Sequence, residues 1–588
     1  MFFQTMPPLI TSTAARKLPR TLLFGLLLLY ILPGLLGRDP WRTDDAVGFG
    51  LMWTMAHGTL ADWLMPNVVG VALPHEGPLF FWLGGLCIKT LGPLIGDLLA
   101  ARLIIVASIF ALCWSLWYAT FALARRPEAQ PHDPVGGTSP EAVAYGRMMA
   151  DAAMLILLAT LGLIGRLHET TAEVGAVALV ALGLYGLATS LRRPYKGAAL
   201  FAIACAGALL TRGIVVALPL LAAAVLAFAL CRPLRFNLKP FASLALALGL
   251  PLMALWPLWL WQHGPAGQLY LQQWWDWNLA QFGPSLATWR ITGRTLLWFT
   301  WPAWPIALWA LWSLRAPAPN GRGTGLSGYS PQYALPLAWV ICFLLLALST
   351  RDASDSYLMP LLPGLAMLAA FGLTRLKRGV INAIDWFAVM VFTTLCIAAW
   401  FYWIASVTGY PVRVAERVAR LAPGYRPVLV WIELLLALGV TFAWGWLIYW
   451  RISRHPKVLW RSVVLSSGGL VLAWALLTTL WMPWLNHTRT YRDVAQQISA
   501  VLPPQYRCVE TQNLGLAQRS TLAYFAGLRF SETKPGKQQH CDFLLLQDSV
   551  ANLHDAHLPD PSWVLRWQGR RVANRDERFR LYHKQLAD

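Results

Sequence analysis

Charged side chains are scarce in this chain. Asp, Glu, Lys and Arg make up only 13% of it, against roughly 25% in ordinary soluble domains. That shortage, beside a hydrophobic fraction of 57%, excludes a soluble enzyme, a disordered chain and a nucleic-acid binder that works through a basic patch. No Walker A motif occurs, which disfavours an ATP-driven pump. No internal repeat recurs at a consistent spacing, although transporters are commonly built from such repeats. The first 20 residues lack a small-residue cleavage site, so the apolar run at 21–36 reads as a retained span and not a removed leader.

What the chain has in abundance is apolar length. Crossing roughly 30 Å of hydrocarbon takes about 20 mostly apolar residues. Thirteen segments qualify: 21–36, 99–124, 148–165, 174–190, 197–211, 214–230, 241–261, 296–314, 334–350, 357–374, 383–405, 428–449 and 462–485. The stretch 78–97 is also apolar, but Lys89, several glycines and two prolines interrupt it. It is read as lying in the interface, with a fourteenth span as the alternative.

Charge placement decides between the two. The net charge is +20. If Arg16, Lys17 and Arg20 are cytoplasmic, the thirteen spans put 21 basic residues on that side against only Glu128, Asp133 and Glu141. Together with Arg102 at the start of the second span, the outer segments before residue 428 hold 13 basic and 12 acidic residues. This is the positive-inside bias, and a fourteenth span would reverse every later loop.

The expectation is therefore an α-helical polytopic membrane protein with about 13 transmembrane helices. Residues 1–20 are its cytoplasmic N-terminus, and 21–485 form a membrane domain with a long first outer loop at 37–98. Residues 486–588 form a small α/β domain outside, where polar composition, strand-like runs at Arg507–Glu510 and Phe543–Leu546 and helical stretches at Tyr491–Val501 and Leu522–Gly527 replace the apolar runs. Each of Cys508 and Cys541 opens a candidate strand, and an oxidising compartment would allow a disulfide there. Two free thiols are the alternative.

Unusual chemistry collects on the outer side. Asp44 and Asp45 lie just past the first span, in Arg38-Asp-Pro-Trp41-Arg42-Thr43 context, either as catalytic acids or as a solvated turn capping a helix over Ala46–His57. His75-Glu76 closes the first loop; a His beside a Glu can ligate a divalent metal, yet two ligands fall short of the usual three or four. The short second outer loop holds Arg166, His168, Glu169 and Glu173, read either as functional groups or as an interfacial charge collar. Arg212 sits in an apolar turn with no acidic sequence neighbour, which calls for a partner or an anionic ligand. Aromatics fill the loop at 262–295, and Arg351 precedes Tyr357-Leu-Met-Pro360-Leu-Leu-Pro363. Carboxylates and arginines at interface depth suit a lipid with an anionic headgroup: a carboxylate can take a proton from an acceptor hydroxyl and arginines can hold a phosphate leaving group.

In order, these are an acidic pair after span 1, Pro78-Leu-Phe-Phe-Trp82, Ala-Arg102-Leu, an acidic second loop, Leu-Thr-Arg212-Gly213 and the Tyr357 motif. That order resembles the GT-C glycosyltransferases of the protein O-mannosyltransferase group, and most of all the bacterial aminoarabinose transferases that modify lipid A. The likeness runs motif by motif over residues 20 to about 375 and by layout beyond. It implies a GT-C fold, an inner-membrane location, and transfer of a monosaccharide from a polyprenyl phosphate to a periplasmic glycolipid or protein. The family's essential Asp falls on Asp44, with Asp45 in place of Glu; its second-loop acid falls on Glu173 or Glu169. Its phosphate-facing cations fall on Arg212 and Arg351. Two others are replaced, because Glu76-Gly77-Pro78-Leu79 stands where Lys-Pro-Pro-Leu is usual and Val47 stands where an Arg is expected. Arg42, Arg166, Arg212 and Arg351 are left to supply the charge, with His75 and Glu76 as a candidate divalent-metal pair.

The expected activity is that of an inverting lipid-linked glycosyltransferase, acting as a monomer among membrane lipids, with no nucleic-acid partner and no cofactor besides the candidate metal. A flippase of polyprenyl-linked glycans is the alternative. A sensor or assembly protein reading ligands through 486–588 is a third reading.

Overall fold

The computed structural model describes residues 18–41, 43–131, 140–313, 330–453, 458–531, 541–549, 562–574 and 576–585. Arg42 lies outside these. Helix dominates because apolar sequence in a bilayer must satisfy every backbone polar group within its own segment. Among the described residues nine helices are long and apolar enough to cross a membrane, from Asp97–Ala124 to Ser462–Leu480. Arg20–Ile31, Leu79–Ile95 and Ile214–Leu230 are shorter apolar helices. The chain is a polytopic helical membrane protein.

Two expected spans are broken. The segment at 148–165 divides into Ala142–Leu158 and Leu161–Arg166, and that at 296–314 into Leu286–Phe299 and Ala303–Ser313. The breaks answer each other, since the Leu161 N–H donates to the Trp301 carbonyl at 3.0 Å. After the interruption the short Leu161–Arg166 helix ends on Arg166, a member of the site described below. The stretch at 78–97 folds as one 17-residue helix, Leu79–Ile95, packed on the Asp44–His57 and Asp97–Ala124 helices.

Ala172–Ser190 and Pro194–Arg212 form a tight antiparallel hairpin. Its closeness comes from glycine: a Cβ at Gly197 would meet the Gly186 carbonyl oxygen at 2.6 Å, and one at Gly186 would meet that of Gly197 at 2.9 Å. The start of the first helix and the end of the second therefore share a level, which brings Glu173 and Arg212 together.

The C-terminal domain has its own core of Tyr491, Val494, Ile498, Leu522, Phe543, Leu545, Phe579 and Leu581. Its four-stranded sheet runs in the order Val509–Gln512, Phe543–Ser549, Glu577–Lys584, Trp563–Gly569, with the first pair parallel and the others antiparallel. Helices Arg492–Val501 and Leu516–Ala526 contribute to that core. Cys508 and Cys541 are joined by a disulfide at the head of the parallel pair.

Candidate active site

Asp44 and Asp45 open the helix Asp44–His57, which begins two residues earlier than the sequence led one to expect, with Thr43 and not an Asp at its N-cap. Asp45 turns inward. Its carboxylate accepts from Arg38 Nη2 at 3.0 Å, the Trp41 N–H at 3.0 Å and the Thr170 N–H at 2.7 Å. Burial would push its acidity up the scale, yet the Arg38 and Arg102 guanidiniums and the two amides hold it below the ordinary carboxylate range. Both members of the Arg38–Asp45 pair are at most 3% exposed. Asp45 is thus the pin that ties the loop before its own helix to the loop before Ala172–Ser190, with both oxygens engaged, and it does not face the cleft.

Asp44 faces outward and is reached by solvent. Its carboxyl is pushed up, first by the surrounding protein and then by Glu173, against the opposing pull of Arg166 and Arg212.

Arg212 is the hub of the site. The helix Pro194–Arg212 stops at Gly213, whose φ of +75° suits only glycine, and a Cβ there would meet Asn278 Oδ1 at 2.1 Å. The same Oδ1 accepts from the Ile214 N–H at 2.8 Å. Arg212 Nη1 donates to Glu76 Oε1 at 2.5 Å and Nη2 lies 3.0 Å from Glu173 Oε1. Its guanidinium carbon is 5.8 Å from the Trp277 ring centre and 5.7 Å from that of Tyr357. Glu76 reaches it because the turn at 75–78 abuts the helix end through backbone. The Gly77 N–H donates to the Thr211 carbonyl at 3.1 Å, and a Cβ on Gly77 would strike the Leu210 carbonyl oxygen at 2.1 Å. Burial first, then the nearby Glu173 and Asp44 carboxylates, push Glu76 up to about 8, because one guanidinium cannot offset three acids.

Arg166 is held by two acids. Its Nε and Nη2 meet Asp355 at 3.1 and 2.5 Å in a fork, and Nη1 meets Glu169 at 2.8 Å. Arg351 is anchored by its backbone only: its N–H donates to the Gln281 carbonyl at 2.8 Å and its carbonyl accepts from Thr288 Oγ1 at 2.8 Å. Its exposed guanidinium has no ion-pair partner among the described residues. Gln281 also takes the Tyr357 hydroxyl at 2.7 Å, so one residue sets both the Arg351 strand and the ring beside Arg212.

The structure thus gathers Asp44, Glu76, Glu173 and Arg212 into one cluster, with Glu169 and Arg166 beside it. Sequence reasoning passed over Asp355, Gln281 and Asn278 as site members. Asp355 lies two residues before Tyr357 and carried the only signal, a carboxylate entering an apolar span.

His75 and Glu76, the candidate metal pair, turn to different partners. The His75 ring stacks on Trp277 with centres 5.3 Å apart, while Glu76 is spent on Arg212. Burial and then Arg212 pull the His75 ring below its ordinary imidazole value. No group of three His, Cys, Asp or Glu able to hold a metal occurs among the described residues.

An apolar groove of about 760 Å³ is lined by Leu209 and Ile214, which flank Arg212 in the chain, and by Pro257, Trp261, Leu271 and Trp274.

No protein-family model matches this sequence, and no curated protein does. Solved structures do match in fold. ArnT from Cupriavidus metallidurans bound to undecaprenyl phosphate superposes with a TM-score of 0.64 at 16% identity, covering 96% of this chain and 97% of that one. The same protein in the apo state gives 0.60 at 16% identity, over 96% and 97%. The likeness bears out the expected GT-C architecture. At that identity it shows the fold alone.

Proposed function

We propose that this chain is an inverting glycosyltransferase of the bacterial inner membrane, moving a monosaccharide from a polyprenyl phosphate to a hydroxyl of a periplasmic glycolipid or protein. The observation that carries the reading is the placement of a solvent-reached carboxylate, Asp44, across from a caged arginine, Arg212, whose chain neighbours Leu209 and Ile214 line an apolar groove of about 760 Å³. That groove has an apolar lining suited to a prenyl chain. Undecaprenyl phosphate, the ligand of the matched ArnT structure, is a carrier of this kind.

In this mechanism Asp44 accepts the proton of the acceptor hydroxyl as its oxygen forms a bond to the anomeric carbon. The bond from that carbon to the phosphate oxygen breaks on the opposite face, and its electron pair leaves with the phosphate. Attack from the opposite face inverts the centre. The upward shift of the Asp44 carboxyl suits a general base, because a base works best as its acidity nears ambient pH. Arg212 and the free Arg351 receive the phosphate, which needs no acid to depart. Arg166, forked on Asp355, holds Glu169 and the loop in place. Arg42 remains a proposed phosphate contact from the residue preceding Thr43.

Asp44→Asn keeps the fold and loses transfer by at least about 100-fold. The assay is release of polyprenyl phosphate from a polyprenyl-phosphate sugar by purified protein, and turnover of the variant within a few-fold of the parent overturns the role. Envelope glycolipids and glycoproteins compared by mass spectrometry between parent and deletion strains name donor sugar and acceptor together.

A further inference from the structure

At the far end of the first span from Asp44, three helix ends meet: the start of Arg20–Ile31, the end of Asp97–Ala124 and the start of Ala142–Leu158. They enclose a second groove, of about 400 Å³, with Leu23, Leu27, Phe110 and Met154 inside. Phe24 at 55%, Trp114 at 48% and Tyr118 at 39% exposure line it toward the surrounding lipid.

Three charged groups lie at its mouth. Arg20 and Arg147 have no ion-pair or hydrogen-bond partner among the described residues, yet both act electrostatically on Asp151. Asp151 is 6% exposed, and Trp117 Nε1 donates to its Oδ1 at 2.8 Å, which fixes the carboxylate toward the groove. One carboxylate offsets only one of the two arginines, and lipid phosphates are the anions available at that depth. A purely anionic headgroup, however, would set a phosphate against Asp151. Two cations and one carboxylate complement a headgroup that carries one phosphate and one amine.

We propose that this groove is a structural site for one aminophospholipid of the phosphatidylethanolamine type. Its phosphate lies between Arg20 and Arg147, its ammonium at Asp151, and an acyl chain runs along Phe24, Phe110 and Trp114. The lipid completes the packing of the short first helix, the element that leads directly into the Asp44 loop. The site is on the opposite side of the helical domain from the proposed transfer chemistry and does not depend on it.

The test is native mass spectrometry of the delipidated full-length protein in detergent, titrated separately with phosphatidylethanolamine and phosphatidylglycerol. The parent binds one phosphatidylethanolamine per chain in preference to phosphatidylglycerol. The R20A/R147A double variant binds it at least tenfold more weakly, R20K/R147K restores most of the affinity, and Asp151→Asn abolishes the preference between the two lipids. Unchanged binding by R20A/R147A overturns the proposal. So does failure of the lysine pair to restore it, or equal affinity of the parent for both lipids.

Discussion

Asp44 and Asp45 follow one another on the first turn of a helix, so their side chains leave it about 100° apart. One meets the cleft and the other the core, and their substitutions separate accordingly. Asp45→Asn strips a buried guanidinium, Arg38, of its counter-charge. Breaking such a pair costs about 3–5 kcal/mol, so thermal unfolding in detergent drops sharply, whereas Asp44→Asn leaves it near the parent value. Equal melting of the two variants would contradict this division. Glu76 offers a pH signature. With its carboxyl at about 8 it holds its proton at neutral pH; above that it ionises and competes with the carrier phosphate for Arg212. The raised value means the neutral form is the one the site favours, so donor binding is best below pH 8 and weakens as pH rises through it. Glu76→Gln, neutral throughout, erases this limb from the KM profile; a limb that persists in the variant assigns it to another group.

At the scale of elements, the hairpin of Ala172–Ser190 and Pro194–Arg212 sets the level of the cluster, and the turn at 75–78 delivers the last carboxylate to it. Gly77 is the tight point, since an added Cβ meets backbone, not a movable side chain. Gly77→Ala therefore shifts the turn away from Leu210 and withdraws Glu76 from Arg212. Overpacking of this kind costs about 1–3 kcal/mol, and the donor KM changes more than kcat because the chemistry at Asp44 is untouched. Unaltered kinetics in that variant would show that the turn tolerates the methyl group. The split helices play a similar part: the short Leu161–Arg166 helix that follows the break ends on Arg166, the partner of Asp355.

Across the whole molecule, the C-terminal domain is fastened to the loop that carries Asp44. Arg492 forks onto Asp39 at 2.9 and 2.5 Å, and Asn486 accepts from the Asp39 N–H and the Trp41 indole, each at 3.0 Å. The Ser520 hydroxyl donates to the Ala46 carbonyl at 2.8 Å, and Tyr524 meets Phe49 edge-on at 4.9 Å. The domain thus braces the first turn of the Asp44 helix from outside. Arg492→Ala lowers kcat by about tenfold through misplacement of the base, with donor KM little changed, and Arg492→Lys recovers part of it. An equal loss in KM would place the domain's contribution in donor binding.

Hydropathy alone determined the helical class and where the apolar helices lie, because a bilayer leaves apolar backbone no other choice, but not the breaks within 148–165, 296–314 and 462–485. The disulfide was one of two open readings, and the structure closes it. The Glu173–Arg212 pairing was within reach of the sequence too, as the connection between their helices is only three residues long. The other partners were not. Arg212 lies 136 residues from Glu76, and Arg166 lies 189 from Asp355. Such pairs exist only after helices pack, and packing between membrane helices depends on where small residues permit close approach, a pattern spread over the whole chain. For the two adjacent acids, the order of motifs already set Asp44 in the essential place and Asp45 in that of the usual Glu; only the tertiary structure, by burying Asp45 against Arg38 and turning Asp44 to solvent, decided that one is a structural pin and the other is free to act.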